Sequence, residues 1–237
     1  MSIKKILLSS ILSVYIIGFA HAQNTILTAA EFFDSVSSHI GSIETYEADL
    51  EMKITGNSAM NARISFKQPN LLRLDFSEPA TQVIVFNGNL LTVYLPGSRV
   101  ILSQSVQGSD ATTEGMNLAT PDGLALMRRY YSISYEVGQS PVALDPDAVG
   151  TQSAEEQVIK LLLSRRNTSE GFRTIKLAIN PDTLLIRRIE ALSVDGKTFT
   201  LDFFNYVLDQ NIPTTRFFYD TPSSANTIND FLFTESD

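Results

Sequence analysis

Short segments in which apolar and polar residues alternate, separated by turn formers, constrain this fold more than any other feature of the chain. Ala62-Arg-Ile-Ser-Phe-Lys67 alternates and is stopped by Gln68-Pro69-Asn70; Leu72-Arg-Leu-Asp-Phe76 alternates and runs into Glu78-Pro79. Period two places Ile64 and Phe66 on one face, as it does Leu72, Leu74 and Phe76, and leaves Arg63, Ser65, Lys67, Arg73 and Asp75 on the other. One face reads as apolar and the other as wet. Val83–Phe86 and Leu90–Leu95 flank Asn87-Gly88, a hairpin signal. Ala48–Thr55, Ser132–Val137, Val158–Ser164, Phe172–Ile179, Leu184–Val194, Lys197–Tyr206 and Thr215–Tyr219 also read as strands. Asn180-Pro181-Asp182, Asp195-Gly196 and Asn211-Ile-Pro213 supply turns. Strands following strands at a spacing of roughly ten residues predict an antiparallel meander, not βαβ units.

Two helices interrupt the pattern. Thr28-Ala-Ala-Glu31 is a capping-box sequence, with Phe32, Phe33, Val36 and Ile40 at helical spacing behind it and Gly41 as the stop. Thr120-Pro121-Asp122 combines an N-cap, an N1 proline and an early acid, and opens a second helix carrying Leu124, Leu126, Met127, Tyr130 and Tyr131. Between the strands and this second helix, Ser103 to Ala119 is polar, small and aperiodic and reads as a long loop. The expected fold is α+β: one strongly curved antiparallel sheet of about ten or eleven strands, a half-open β-barrel, covered by an N-terminal helix and short lid helices. Two short helices leave apolar sheet surface over, so the concave face is expected either to close on itself as core or to hold a hydrophobic guest.

Composition removes most chemistries. The 237 residues contain no Cys and two His, which excludes disulfides, thiolate catalysis and Cys- or multi-His-ligated metals; no metal and no cofactor is expected. The formal charge of −8 argues against a nucleic-acid partner. Lys4 and Lys5, an apolar run from Ile6 to Phe19 and Ala20-His21-Ala22 form a secretory signal with cleavage after Ala22. At about 14 residues the run is shorter than the roughly 20 a bilayer span needs. Residues 1–22 thus read as a signal peptide and 23–237 as one exported, soluble domain, expected to be a monomer.

From Arg63 to Pro96 the chain resembles the periplasmic outer-membrane lipoprotein carriers, the LolA-type chaperones. The residues that carry the resemblance are Phe66-Lys-Gln-Pro-Asn-Leu-Leu-Arg-Leu74, Glu78-Pro79, Asn87-Gly88, Leu91 and Tyr94-Leu95-Pro96. It extends through the Thr120-Pro121 helix to Asp195-Gly196-Lys197-Thr198, Asn211-Ile-Pro213, Phe217–Tyr219 and Pro222. The resemblance implies a half-barrel with a lidded apolar cavity. Such a protein takes lipoprotein acyl chains from an inner-membrane releasing transporter, crosses the periplasm and delivers them to an outer-membrane receptor, without a cofactor. By position, the lipid-binding residues would be Ile64, Phe66, Leu72, Leu74, Phe76, Leu91 and Val93, with Leu124, Leu126 and Met127 in the lid. The family's arginine that latches lid carbonyls is here Gln68, a neutral donor, so the expectation is a weaker latch at Gln68 or one supplied by Arg63 or Arg73.

Two other classes compete. The same half-barrel serves in lipid- or lipoprotein-sensing regulators of the cell envelope. An enzyme finds little support: His39 is the only His after cleavage and flanks an apolar stripe. Gly56-Asn-Ser58-Ala-Met60 is one residue short of a nucleophile elbow. Asp145 with Asp147, and Glu155 with Glu156, read as solvated loop charge. No enzymatic activity is expected.

Overall fold

The computed structural model describes residues 27–105, 118–148 and 150–229. The signal-peptide reading and most of the expected loop lie outside the described residues. The first described element is helix α1 (Ala29–Ser42), whose capping box is complete: Thr28 Oγ1 accepts from the Glu31 amide at 3.2 Å, and Glu31 Oε2 accepts from the Thr28 amide at 2.8 Å. The bonds that the Glu31 carboxylate accepts from the Thr28 amide and hydroxyl hold it below its usual range. Phe32, Phe33, Val36 and Ile40 form the buried stripe.

Six strands follow: β1 (Thr45–Ile54), β2 (Met60–Lys67), β3 (Leu71–Glu78), β4 (Val83–Phe86), β5 (Leu90–Leu95) and β6 (Val100–Ser105). Gly88 turns the β4–β5 hairpin at φ +97°, with Asn87 Oδ1 accepting the Asn89 and Leu90 amides; a Cβ there would lie 3.3 Å from Asn70 Oδ1. Helix α2 (Pro121–Tyr130) carries the expected Thr120 cap, whose Oγ1 accepts from the Gly123 amide. Then come β7 (Tyr131–Tyr135), β8 (Val142–Ala143), a single-turn helix α3 (Gln152–Glu155), β9 (Gln157–Arg165), β10 (Phe172–Ile179), β11 (Ile186–Ser193) and β12 (Thr198–Leu208). A 3₁₀ turn at Thr214–Phe217 and β13 (Asn226–Asn229) end the described chain.

Among the described residues thirteen strands belong to one unclosed sheet, ordered β13-β6-β5-β4-β3-β2-β1-β12-β11-β10-β9-β7, with β8 pairing on β9; β13 is parallel to β6 and the other pairs are antiparallel. Leu72 of β3, Leu163 of β9, Tyr131 of β7 and Phe33 of α1 share one buried cluster. Seven inter-strand steps separate β3 from β7, about 34 Å in a flat sheet, whereas a helix is only about 10–12 Å across. The sheet therefore curls around α1 and α2. A bulge assists the bend: Glu47 pairs with Val207 and Asp49 with Phe204, leaving an extra residue in β12 near Asn205, which sits at φ +49°.

Four expectations are corrected. The strand count exceeds ten or eleven, because β6, β8 and β13 add to the strands that alternation marks. Thr215–Tyr219 is not a strand but a 3₁₀ turn followed by extended chain. Asp145 and Glu156 are not solvated loop charges but partners of Arg188 and Arg187. The outer face is not uniformly wet either. Val83 and Val85 share register positions with Asp75 and Arg73 on that face, and they, Ile101, Ile212 and Phe217 are all buried outside the main cluster. The segment around Phe217 runs over this side: Arg73 Nη1 donates to the carbonyls of Arg216 and Phe218, Arg216 Nη2 meets Asp75 Oδ2 at 2.7 Å, and Lys67 Nζ donates to the Ile212 carbonyl at 2.7 Å.

Candidate functional site: an apolar cavity on the inner face of the sheet

Between the inner face of the sheet and the start of α2 lies a cavity of about 160 Å³. β1 contributes Leu50, Met52 and Ile54 to its wall, β2 Ile64, β3 Leu74 and β4 Ile84; Phe199, Leu201 and Phe203 come from β12, and Leu118 and Ala119 close the end nearest α2. Every lining residue is apolar, and register explains why. Ile64 pairs with Ala48 and Leu74, Leu74 with Ile84, and Met52 with Leu201, so one face of five neighbouring strands converges on one space. Cavities of about this size with such a lining stay dry and admit small apolar guests.

Of the residues expected from the sequence, Ile64 and Leu74 lie in the cavity wall. Phe66, Leu72 and Phe76 are on the same face but pack into the main core. Leu91 is buried, and Val93, half-buried on β5, pairs with Ile84 of the wall. On α2, Leu124 and Met127 are buried in the core and Leu126 is half-buried. The wall also contains residues that the sequence reading does not single out: Leu50, Met52 and Ile54, which alternate with Glu51 and Lys53, and Phe199, Leu201 and Phe203, which alternate in β12. The same period-two signal is present in both strands.

Polar ties hold the helices and the segments beside them to one another and to the sheet. Tyr46, buried on the inner face of β1 and stacked on Phe66 at 5.2 Å, donates its hydroxyl to the Ala119 carbonyl at 3.2 Å, one residue before the α2 cap. Burial drives its phenol pKa well above the ordinary value, so it stays a donor. Arg128 of α2 grips Asp34 of α1 through two bonds, Nε–Oδ1 at 2.7 Å and Nη2–Oδ2 at 3.2 Å, both groups largely exposed. Tyr135 donates to the Leu27 carbonyl at 3.0 Å, ahead of α1. Gln68 Nε2 donates to the carbonyls of Gly41 and Ile43, at 2.7 and 3.0 Å, so this side chain ties the C-terminal end of α1 rather than α2. Arg63 and Arg73 are not substitutes, because their guanidinium groups are spent on the outer face, on Glu47 and Asp49 and on Asp75.

Among the described residues no group of His, Cys, Asp and Glu is placed to hold a metal ion, and no helix is long and apolar enough to cross a membrane. His39 is half-buried on α1, away from the cavity lining.

No family model and no curated protein matches the sequence. Solved structures do match. An uncharacterized conserved protein from Thermus thermophilus aligns at 16% identity over 85% of this chain and 98% of its own, with a TM-score of 0.54. MucB aligns at 13% identity over 84% of this chain, with a TM-score of 0.50, and this chain spans 64% of its length. A LolA superfamily protein from Nitrosomonas europaea aligns at 12% identity over 81% and 98% of the two chains, with a TM-score of 0.40. At these identities what the chain shares with the Thermus protein and MucB is the fold, a single curled sheet wrapped over helices.

Proposed function

We propose that the chain is a carrier of acyl chains: a periplasmic protein that shelters the lipid part of lipoproteins in the cavity and moves them from the inner to the outer membrane. The observation that supports this reading is the cavity, which lies on the inner face of the sheet, is closed at one end by Leu118 and Ala119 just before α2, and is lined only by apolar side chains. The sequence resemblance described above points the same way.

The energetics suit carriage. A cavity of about 160 Å³ takes a guest about the size of benzene, some six carbons, which at about 0.8 kcal/mol per CH₂ amounts to about 5 kcal/mol. A 16-carbon chain sheltered in full would gain about 12 kcal/mol, but needs the helices to move off the sheet. That movement exposes the buried stripe of α1, and the polar ties add little to its cost. An exposed ion pair such as Arg128–Asp34 contributes about 0–1 kcal/mol, and a neutral hydrogen bond such as Tyr46–Ala119 about 1 kcal/mol. Opening thus offsets part of the binding energy, and a bound chain remains releasable to a receptor with a better-formed cavity.

Native mass spectrometry of the protein isolated gently from an envelope fraction tests the proposal. Co-purifying lipoprotein or diacyl lipid, lost on replacement of cavity residues, is the expected result. A protein recovered empty from cells rich in lipoprotein, or held instead in a stoichiometric complex with a membrane-bound regulator, would overturn it in favour of a sensing module.

A further inference from the structure

On the opposite face of the same strands lies a second concavity, a groove of about 640 Å³, within the size range of small-molecule sites. Leu201 and Phe203 face the apolar cavity, so by alternation Asp202 and Phe204 of β12 face the groove. The excursion that carries β8 and α3 folds over the outer side of β11 and β12 and forms one wall; Asn180 and Thr183 of the β10–β11 turn stand at one end.

The charges in the groove satisfy one another. Asp202, almost fully buried, accepts from Arg187 Nη1 and Arg188 Nε, each at 2.7 Å; Arg187 Nε also meets Glu156 at 2.9 Å, and Arg188 Nη1 meets Asp145 at 2.6 Å. Lys53 and Glu51 pair at the rim at 2.5 Å. Arg187 is immobilised further by stacking, its guanidinium carbon 4.1 Å from the centre of the Phe204 ring. The capacity left over is neutral or already neutralised. Asn180 Oδ1 accepts the Asp182 and Thr183 amides, and its NH₂ has no partner among the described residues. Asn205 spends its NH₂ on Asp49 and keeps its Oδ1, the Gln152 side-chain amide is unpaired among the described residues, and Arg187 keeps its Nη2 donors.

We propose that this groove binds an uncharged oligosaccharide. Four carboxylates face three cationic side chains in the groove, all of them paired, so it repels an anion and offers a cation no unpaired partner. Its free amide donors and acceptors, together with a fixed guanidinium edge, match a ligand that presents hydroxyls all round its rings. An extended peptide fits less well. The floor strands β1, β12 and β11 each have neighbours on both sides, so they offer no open edge for backbone pairing. This site is independent of the acyl-carrier reading and lies on the other face of the sheet.

The test is a titration of the isotope-labelled full chain with N-acetylated chitotriose and with maltotriose, both uncharged, followed by NMR. Saturable shifts of the Asn180 and Gln152 side-chain amides are expected with at least one sugar, at a Kd of about 1 mM or tighter. Gln152→Ala, at an exposed position, and Asn180→Asp, which keeps the turn acceptor and removes the free donors, should each weaken binding about fivefold without changing uptake of an acyl probe. The proposal is overturned if neither sugar shifts these resonances, if the shifts do not saturate, if both variants bind like the parent, or if the site takes only a control peptide.

Discussion

Tyr46→Phe isolates the tie between the sheet and the start of α2. The ring remains, and with it the stacking on Phe66 at 5.2 Å and the contact with Tyr206 at 5.7 Å; only the bond to the Ala119 carbonyl at 3.2 Å is lost. Tyr46 and Ala119 are 3% and 7% exposed, so in the closed form water has little access to the orphaned carbonyl. The cost is therefore about 1 kcal/mol, rising to about 3 if the carbonyl stays dry. In the open form the carbonyl meets solvent and the cost disappears. At about 1 kcal/mol the open fraction rises about fivefold, and where opening precedes uptake the apparent Kd for an acyl ligand falls by the same factor. The melting temperature falls by about 2–4 °C at this chain length. A fluorescent fatty-acid titration and a thermal melt on the same preparation measure both. A lower melting temperature with unchanged or weaker acyl binding would refute the idea that this bond holds the cavity shut.

Ile84→Phe adds bulk to the cavity wall and is expected to reduce acyl binding while stability changes by less than about 1.5 kcal/mol, as paired titrations and denaturant melts would show. Phe217→Ala empties the outer-face cluster and should cost about 3–5 kcal/mol in chemical denaturation, with acyl binding by the remaining folded protein unchanged. Asp202→Ala removes the carboxylate that Arg187 and Arg188 share, leaving each with only its second partner, Glu156 or Asp145, and should cost about 1.5–3 kcal/mol. Acid should destabilise the fold in a defined window. Hydrogen bonds from Asn205 and then Arg63 lower the Asp49 pKa, one from Arg188 lowers that of Asp145, and one from Ser193 brings Asp195 down to about 2. The unfolded chain binds these protons more tightly, so the stabilisation is full above the ordinary carboxylate range near 3.8 and is lost as pH falls towards about 2. Melting temperatures measured down through that window should drop, and drop less in Asp145→Asn than in the parent.

Local chemistry was legible wherever a few adjacent residues settle it. Thr28 with Glu31, Thr120 with Pro121, and Asn87-Gly88 each define a cap or turn by themselves, and Val83–Phe86, Leu90–Leu95 and Phe172–Ile179 appear with the bounds their alternation or apolar runs suggest. Elements made by tertiary pairing were not legible. β13 is four exposed residues that become a strand only because β6 lies alongside, and the polar Ser103-Gln104-Ser105 end of β6 hides its strand character. Phe217-Phe218-Tyr219 looks like a strand because it is apolar; after Pro213 the chain turns instead and buries Phe217. One clue to the covered outer face is present in the sequence itself: Val83-Ile-Val-Phe86 is apolar on both faces, a pattern that signals two-sided burial. The ion cluster had no local signature, since Asp202 lies 15 and 14 residues from Arg187 and Arg188, and Asp145 lies 43 from Arg188.

The lipid-carrier account is tested most directly by photocrosslinking with a palmitoyl probe bearing a diazirine near its methyl end, followed by peptide mapping. The account predicts label on the cavity wall, on peptides carrying Met52, Ile64, Leu74 or Leu201, and loss of that label when unlabelled palmitate competes. Label confined to the outer face, or none above the level of a denatured control, would contradict it.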